Sequence, residues 1–348
     1  MPGTGERAYV YARSCGMLEK SFIGKRIAQL GSLTRLTELD RLIFPLAGRE
    51  LPERELLRDL ETRITGRAVK QVITLLSSFK KPPEFLVRLL RVYEYSDLKT
   101  CLNAFAGGER HVPAFTDISP FGTVNFKAYP DISAMLRGTE FEFLLKKDLI
   151  NPSEGKLDPG KCILIETELD RLYYTRLWQA LLALAPRDRI SAEKILPEEI
   201  ALRNVLWVLR LRTYFEMPAD EVRKQLMEGE KIRRKGRGAS LTADAEAILD
   251  LALDNRQEWE GWSREEFLNP VPANGIWWVD PRYFQNAVAD YLYRLARRAF
   301  HRSPFSLDTV FCFIKLKQYE EDILTSVAEG LGLGMTGGDV FSLLEVAR

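Results

Sequence analysis

The chain has 348 residues, of which 46% are hydrophobic and 28% are charged. This composition provides apolar material for a large core and excludes a disordered tail. Fifty Lys and Arg residues balance 49 Asp and Glu residues, so the net charge of +1 gives no global field that would favour nucleic acid or a membrane surface. We therefore expect a globular protein that meets charged partners only through local surfaces.

Cysteine spacing and hydropathy indicate where such a chain would work. Cys15, Cys101, Cys162 and Cys312 form no C-x-x-C pair, which is typical of reduced thiols in a cytosolic protein. The first residues contain no apolar signal core, so secretion is not expected. The longest strongly apolar stretch, residues 177–186, is far shorter than the roughly 20 residues of a membrane-spanning helix. Any contact with a membrane is therefore predicted to be peripheral.

Most of the sequence has the periodicity of amphipathic helices. Leu202, Val205, Leu206 and Leu209 lie at positions i, i+3, i+4 and i+7, which places them on one helical face. Residues 53–76 and 243–253 show similar patterns, whereas alternating Val-, Ile- and Thr-rich runs are scarce. The sequence predicts an all-α fold.

Connections between helices are predicted where Pro, Gly and polar residues cluster. These segments are residues 80–83, 107–122, 151–160, 229–240 and 269–281. Residues 271–283 contain Trp277 and Trp278, and we interpret this stretch as an ordered loop whose indoles pack against neighbouring residues.

Two internal similarities indicate a repeated helical unit. The sequence TELDRL occurs at residues 37–42 and again at 167–172, with a weaker copy at 288–293. An apolar helix followed by a basic residue, any residue and Tyr occurs three times, ending at Tyr93, Tyr214 and Tyr319. Taken singly, the Asp and Tyr residues of these motifs are more often packing and capping residues. Together they predict three related helical units, at residues 1–125, 126–240 and 241–348.

Residues for catalysis, metal binding or nucleotide binding are few. His111 and His301 are the two histidines, and neither lies at a metal-ligand spacing, so we predict surface or capping roles for both. The glycines at 330, 332 and 334 are not followed by Gly-Lys-Ser/Thr, and we interpret them as the tight exit of a helix. We predict no catalytic residue, no metal site and no cofactor.

One segment, residues 231–238, concentrates positive charge in the sequence KIRRKGRG. A solvated loop is the more common interpretation of such a run, and binding to phosphates, acidic lipids or an acidic protein face is the alternative. Nucleic-acid binding is not favoured, because acidic residues separate this run from the nearest tryptophans.

Five segments carry a resemblance to a known family. They are residues 9–13 (YVYAR), 95–100 (YSDLKT), 136–142 (LRGTEFE), 313–323 (FIKLKQYEEDI) and 329–333 (EGLGL). These segments are similar to the central-stalk adapter of V-type (rotary) ATPases, which is the C subunit of prokaryotic enzymes and the d subunit of eukaryotic enzymes.

The resemblance implies three related helical units arranged as a funnel-like body on the cytoplasmic face of the membrane. In this family the adapter is a rotor subunit without catalytic activity, one per complex. It sits on the membrane proteolipid ring, receives the D and F subunits of the central stalk in its hollow, and transmits torque that couples ATP turnover to proton or sodium transport. The membrane stator subunit is a further partner to consider, and no nucleic acid or small-molecule substrate is implied.

The repeat also suggests which residues contact partners. Arg91, Arg212 and Lys317 hold the same place in the three units, and we predict that they face inward and contact the stalk. The basic run adds Lys231, Arg233 and Arg234 as candidate partner-binding residues.

Three alternatives share some of these features. A helical-repeat scaffold of another assembly has the same composition and differs only in its partner. An enzyme whose site combines Asp, Glu, Lys and Tyr from several helices would show a deep pocket with perturbed acids. Nucleic-acid binding through residues 231–237 would show a steep dependence of affinity on salt.

Overall fold

The computed structural model describes residues 3–46, 48–147, 149–150, 157, 159–228, 240–273 and 275–344. Over these residues the regular secondary structure is helical, and no strand occurs in them. The predicted all-α fold is confirmed.

Long and short helices follow one another along the chain, joined by turns and single 3₁₀ turns. The α-helices are α1 (Thr4–Glu19), α2 (Ile27–Gly31), α3 (Leu36–Ile43), α4 (Glu53–Leu76), α5 (Glu84–Leu90), α6 (Val92–Ala106), α7 (Ile132–Leu136), α8 (Phe143–Lys146), α9 (Pro159–Leu182), α10 (Ala192–Phe215), α11 (Ala219–Gln225), α12 (Ala243–Glu246), α13 (Pro281–Phe300), α14 (Leu307–Gly332) and α15 (Gly337–Leu344).

Helix α14 is the central element of the fold. Most of its residues are buried, and it packs along α4 on one side and α13 on another, with further contacts to α1, α3, α5, α10 and α15. Ser306 caps its first turn, where the hydroxyl accepts a hydrogen bond from the Thr309 amide at 3.3 Å. Burial on several sides stabilises this long helix more than its intrinsic propensity does.

The glycines near the end of α14 have two different roles. Gly334 follows the helix with φ of 81°, so the predicted tight exit is confirmed at this residue. Gly330 lies within the helix, and a Cβ there would overlap Val340 Cγ2 on α15. Gly330 therefore allows α15 to approach the surface of α14.

Three apolar clusters form the core, and each combines segments that are distant in sequence. The largest joins α5, α6 and α9 to the first half of α14. A second joins α2, α3 and the first half of α4 to the second half of α14 and α15. The third joins the second half of α10 to residues 241–279 and the start of α13. The division into units at 1–125, 126–240 and 241–348 stays a prediction.

Buried ion pairs and caps fix the long helices to one another. Arg7 on α1 donates to Asp188 Oδ2 at 2.8 Å, and Asp188 also accepts from the Leu307 amide at 3.2 Å. Asp308 accepts from the amides of Ser191 and Ala192 at 2.9 Å, at the start of α10. The N-terminal ends of α10 and α14 are thus joined at one point.

The helix predicted over residues 243–253 is wrong beyond its first turn. Helix α12 ends at Glu246, and turns follow. The Ile248 carbonyl accepts from Arg212 Nη1 at 2.8 Å, and the Ala252 carbonyl accepts from the Trp259 indole at 2.7 Å. Side chains from elsewhere thus occupy carbonyls that a continuing helix would use for its own hydrogen bonds.

Residues 271–273 and 275–280 form a loop, as predicted, but residues 281–283 already belong to α13, and the two indoles of the loop differ. Trp277 is buried and donates to the Asn269 carbonyl at 3.0 Å, which confirms the packing role. Trp278 is 54% exposed, so packing against neighbours is wrong for this residue.

Candidate partner-binding groove

A groove of about 430 Å³ lies between α6, α9, α10, α13 and α14. We call it the central groove. Its walls carry tyrosines, charged residues of both signs and aliphatic side chains. The lining residues are Val92, Tyr93, Ser96, Tyr173, Tyr174, Ile195, Glu199, Leu202, Arg203, Leu206, Arg210, Gln285, Val288, Ala289, Leu292, Tyr293, Lys315, Gln318, Tyr319, Glu321 and Asp322.

Three of the helices supply the groove with one face each. Helix α14 contributes Lys315, Gln318, Tyr319 and Asp322, which lie at positions i, i+3, i+4 and i+7. Helix α10 contributes residues 199, 202, 203, 206 and 210, and α13 contributes residues 285, 288, 289, 292 and 293, at similar spacing. Residues at these spacings lie on the same side of a helix. The groove is therefore built from continuous helical faces.

An ion pair joins α10 and α14 at the wall of the groove. Lys315 Nζ lies 2.7 Å from Glu199 Oε2, and the Tyr174 hydroxyl donates to Glu199 Oε1 at 3.2 Å. Burial raises the pKa of Glu199, but the positive charges of Lys315 and Arg203 outweigh it and hold the pKa below the usual value. Glu199 therefore stays ionised at neutral pH and fixes the Lys315 ammonium in place.

A second set of contacts joins α4, α6, α13 and α14. The Tyr93 hydroxyl donates to Glu321 Oε2 at 2.5 Å, and the Thr65 hydroxyl donates to Glu321 Oε1 at 2.7 Å. Burial raises the pKa of Glu321, and burial together with the Glu321 charge raises the pKa of Tyr93. Tyr319 stacks on Tyr293 with ring centroids 4.3 Å apart. These contacts hold two of the three repeat tyrosines at the groove.

The basic residues of the repeat do not line the groove. Arg91 Nε donates to the Phe121 carbonyl at 2.9 Å, and Arg212 donates to the Ile248 carbonyl, so each braces a loop outside the groove. Lys317 is 1% exposed, and its ammonium contacts Ser21 Oγ at 3.1 Å and the Glu320 carboxylate. The structure therefore does not bring the three residues together.

For Lys317, this burial corrects the prediction of a direct partner contact. Its ammonium lies on the side of α14 that packs against the rest of the chain, because helical geometry turns it away from Lys315. A side chain enclosed in this way offers no surface to a partner. Direct contacts by Arg91 and Arg212 stay a prediction.

The Asp residues of the repeated TELDRL motif take part in ion pairs. Asp40 pairs with Arg63 at 2.8 Å, Asp170 pairs with Lys99 at 2.8 Å, and Asp290 of the weaker copy pairs with Arg294 at 3.1 Å. The motif therefore marks packing contacts between or within helices.

The remaining predicted residues fall outside the groove or outside the described chain. Lys231, Arg233 and Arg234 lie in residues 229–239, outside the described residues. His301 Nδ1 lies 3.3 Å from the Tyr11 hydroxyl, and His111 is exposed. In the part of the chain that the structure describes, no group of three His, Cys, Asp or Glu side chains is arranged to hold a metal ion. None of the helices described is both long and apolar enough to cross a membrane.

Comparison with known proteins identifies the family. The family model for the ATP synthase (C/AC39) subunit matches residues 46–337. An uncharacterized protein of Treponema pallidum is 28% identical over 330 residues, covering 94% of this chain and 92% of the relative. The C subunit of the A-type ATP synthase of Methanosarcina barkeri is 24% identical over 307 residues, covering 86% and 78%, and that of Methanosarcina mazei is 25% identical over 232 residues, covering 65% and 60%. Because the family model matches most of this chain, the chain belongs to the ATP synthase (C/AC39) subunit family.

Proposed function

We propose that this chain is a non-catalytic rotor subunit that links the central stalk of a V-type or A-type ATP synthase to its membrane proteolipid ring. The central groove would receive the D and F subunits of the stalk. The observation that carries this proposal is the groove itself, where five helices present tyrosines and charges of both signs around one concave surface.

The chemistry of the groove suits a protein partner. Its charges are held in position, as the Glu199–Lys315 pair illustrates, and the partly exposed Tyr93 and Tyr293 offer both an apolar ring and a polar hydroxyl. Such surfaces recognise a partner through complementary charge and shape, which gives register and specificity. Tyrosine is also enriched where protein interfaces bind most strongly.

Torque transmission requires a body that does not deform under load. The core clusters supply close packing, and the Arg7–Asp188 and Asp308 contacts join helices that are far apart in sequence. Close-packed interiors are stiff and transmit displacement from one surface to another. A funnel of three related units, seated on the ring at the cytoplasmic face, would carry rotation from the stalk to proton or sodium transport.

Blocking the groove tests this function. Ser96 and Gln285 line the groove and are exposed, so the double variant Ser96→Trp, Gln285→Trp adds bulk there without disturbing the core. We expect it to bind the purified D–F stalk at least about tenfold more weakly than the wild type, as measured by surface-based binding kinetics. Gln257→Trp, at an exposed residue that does not line the groove, is the matched control.

Retained stalk affinity in the double variant would reject the groove as the stalk site. Charge reversal at Arg91 and Arg212 in the same assay tests the prediction made from the repeat. If both reversals leave the affinity unchanged, these arginines support loops and do not contact the stalk.

A further inference from the structure

An uncharged loop next to the start of α13 exposes large apolar side chains. The sequence from residue 268 to 279 contains no Asp, Glu, Lys or Arg. Within it, Val271 is 55% exposed, Ile276 is 74% exposed and Trp278 is 54% exposed. We call these three residues the apolar tip. Single exposed apolar residues are common, but three in one uncharged loop suggest a contact surface.

Hydrogen bonds hold the two ends of the loop, at Asn269 and at residues 278–280. Asn269 Nδ2 donates to the Trp278 carbonyl at 2.9 Å, and Asn269 Oδ1 accepts from the Asp280 amide at 2.9 Å. The Val279 amide donates to the Leu253 carbonyl at 2.9 Å. Because Trp277 and Val279 are buried on either side, Trp278 points away from the core. A backbone fixed in this way loses little conformational freedom when Trp278 binds a partner.

The charges around the tip indicate the chemistry of the partner. Asp254 and Glu258 are exposed beside the segment that bonds to Val279, and Asp280 is exposed after it. Arg256 is paired with Glu265 at 2.8 Å, and Arg282 adds one exposed cation. A mainly acidic rim is repelled by anionic lipid surfaces and complements a cationic protein surface.

We propose that Trp278 and Ile276 insert into an apolar pocket with a cationic rim on another protein of the ATP synthase complex. This inference rests on the proposed function and adds a contact surface outside the central groove. Exposed, preorganised tryptophans in such positions often supply much of the binding energy of an interface.

Reassembly of the complex tests the proposal. The probe is the ATP synthase complex purified from cells that lack this chain and rebuilt with the purified full-length chain. We expect the double variant Ile276→Ser, Trp278→Ser to rejoin the complex at least about 30-fold more weakly, while its thermal unfolding matches that of the wild type. Leu333→Ser, at a residue that is 81% exposed after α14, is the control and should rejoin normally.

Further measurements distinguish a protein partner from the other molecules that the apolar tip could contact. Asp254→Lys is expected to weaken reassembly several-fold, and an unchanged affinity would overturn the cationic rim. Normal reassembly of the double variant would overturn the apolar contact. If the double variant reassembles normally but no longer binds uncharged phosphatidylcholine vesicles, the tip contacts lipid and the proposal is overturned. If it reassembles normally but no longer self-associates in sedimentation, the tip contacts a second copy of the chain, which also overturns the proposal. Failure of the wild type itself to join the complex would reject the proposed function and this inference together.

Discussion

Two lysines on α14 show how one helix serves two different environments. Lys315 is partly exposed at the groove wall and pairs with Glu199 across to α10. Lys317 is enclosed on the other side of the helix and pairs with Glu320. A step of two residues corresponds to a rotation of about 200° around the helix axis, so Lys315 and Lys317 face nearly opposite directions. Helical phase, and not residue type, decides which lysine can meet a partner.

The two sides of α14 also differ in how their polar groups are satisfied. On the groove side, Lys315 and Glu199 keep contact with solvent, and neighbouring groups tune the ionisation of Glu199. On the closed side, Glu320 is buried and accepts from the Phe22 amide at 2.7 Å, and Arg67 lies 3.5 Å away. We expect changes on the closed side to affect folding, whereas changes at exposed groove residues should affect partner binding.

The largest expected effect is the fall in stability when the buried carboxylate of Glu320 is removed. Glu320→Ala removes the carboxylate that accepts from the Lys317 ammonium and from the Phe22 amide. The ammonium then keeps only Ser21 Oγ among its two acceptors, and the amide loses its acceptor. Breaking a buried ion pair from one side typically lowers the free energy of unfolding by about 3–5 kcal/mol. Urea unfolding followed by circular dichroism measures this loss.

Glu329 provides the comparison for that experiment, because it is exposed on the same helix. Glu329→Ala should change the free energy of unfolding by less than about 0.5 kcal/mol. If the two variants are equally stable, the closed side of α14 does not depend on its buried charges.

A smaller effect is expected where α15 packs against the C-terminal end of α14. Gly330→Ala places a methyl group against Val340, and the helices must separate to accommodate it. Overpacking of this kind costs about 1–3 kcal/mol. Gly66→Ala on α4 has no atom within 4 Å of its new Cβ, and it should stabilise the helix by about 0.5–1 kcal/mol. Thermal unfolding of both variants should therefore give shifts of opposite sign.

Much of the fold could be predicted from the sequence, because helical periodicity is a local signal. The helix expected over residues 53–76 is α4 with the same bounds, and the glycine exit of α14 occurs at Gly334. The turns that follow α12 could not be predicted. Their backbone carbonyls are bonded by Arg212 and Trp259, whose approach depends on the tertiary fold.

The groove was only partly accessible to sequence reasoning. The repeat identified α6 and α14 through Tyr93 and Tyr319, which do line the groove, but it emphasised the basic residues two positions earlier. A usable signal was present in α14, where Lys315, Gln318, Tyr319 and Asp322 form a polar stripe at helical spacing on a largely apolar helix. Its partners on α10 and α13 could be found only from the packing, since no local pattern pairs Glu199 with Lys315.

Helix α6 carries a partly buried acid next to the groove and allows a pH test. Tyr93 and Ser96 line the groove, whereas Asp97 accepts from the Thr116 amide at 2.7 Å beneath the loop of residues 107–122. Burial raises the pKa of Asp97 from 3.8 to about 6. Between these pH values the folded chain holds a proton that the unfolded chain has lost. The free energy of unfolding therefore falls as pH rises through this window, and stays lower above it.

Asp97→Asn removes the cost of burying the Asp97 charge and keeps an oxygen that can accept from the Thr116 amide. Below about pH 4 the variant and the wild type should be similar in stability, and above about pH 6 the variant should be more stable by about 1–2 kcal/mol. Urea unfolding at about pH 4, 5, 6 and 8 measures the difference across the window in which Asp97 ionises.

Asp117 on the same loop is the control with the opposite sign. Hydrogen bonds from Ser119 lower the pKa of Asp117, so its ionised form stabilises the folded chain above its ordinary pKa, and that contribution is lost as pH falls. Asp117→Asn should therefore be less stable than the wild type at about pH 8 and should approach it in acid. A pH-independent gain for Asp97→Asn would instead mean that the substitution acts through packing, and that burying the Asp97 charge carries no penalty.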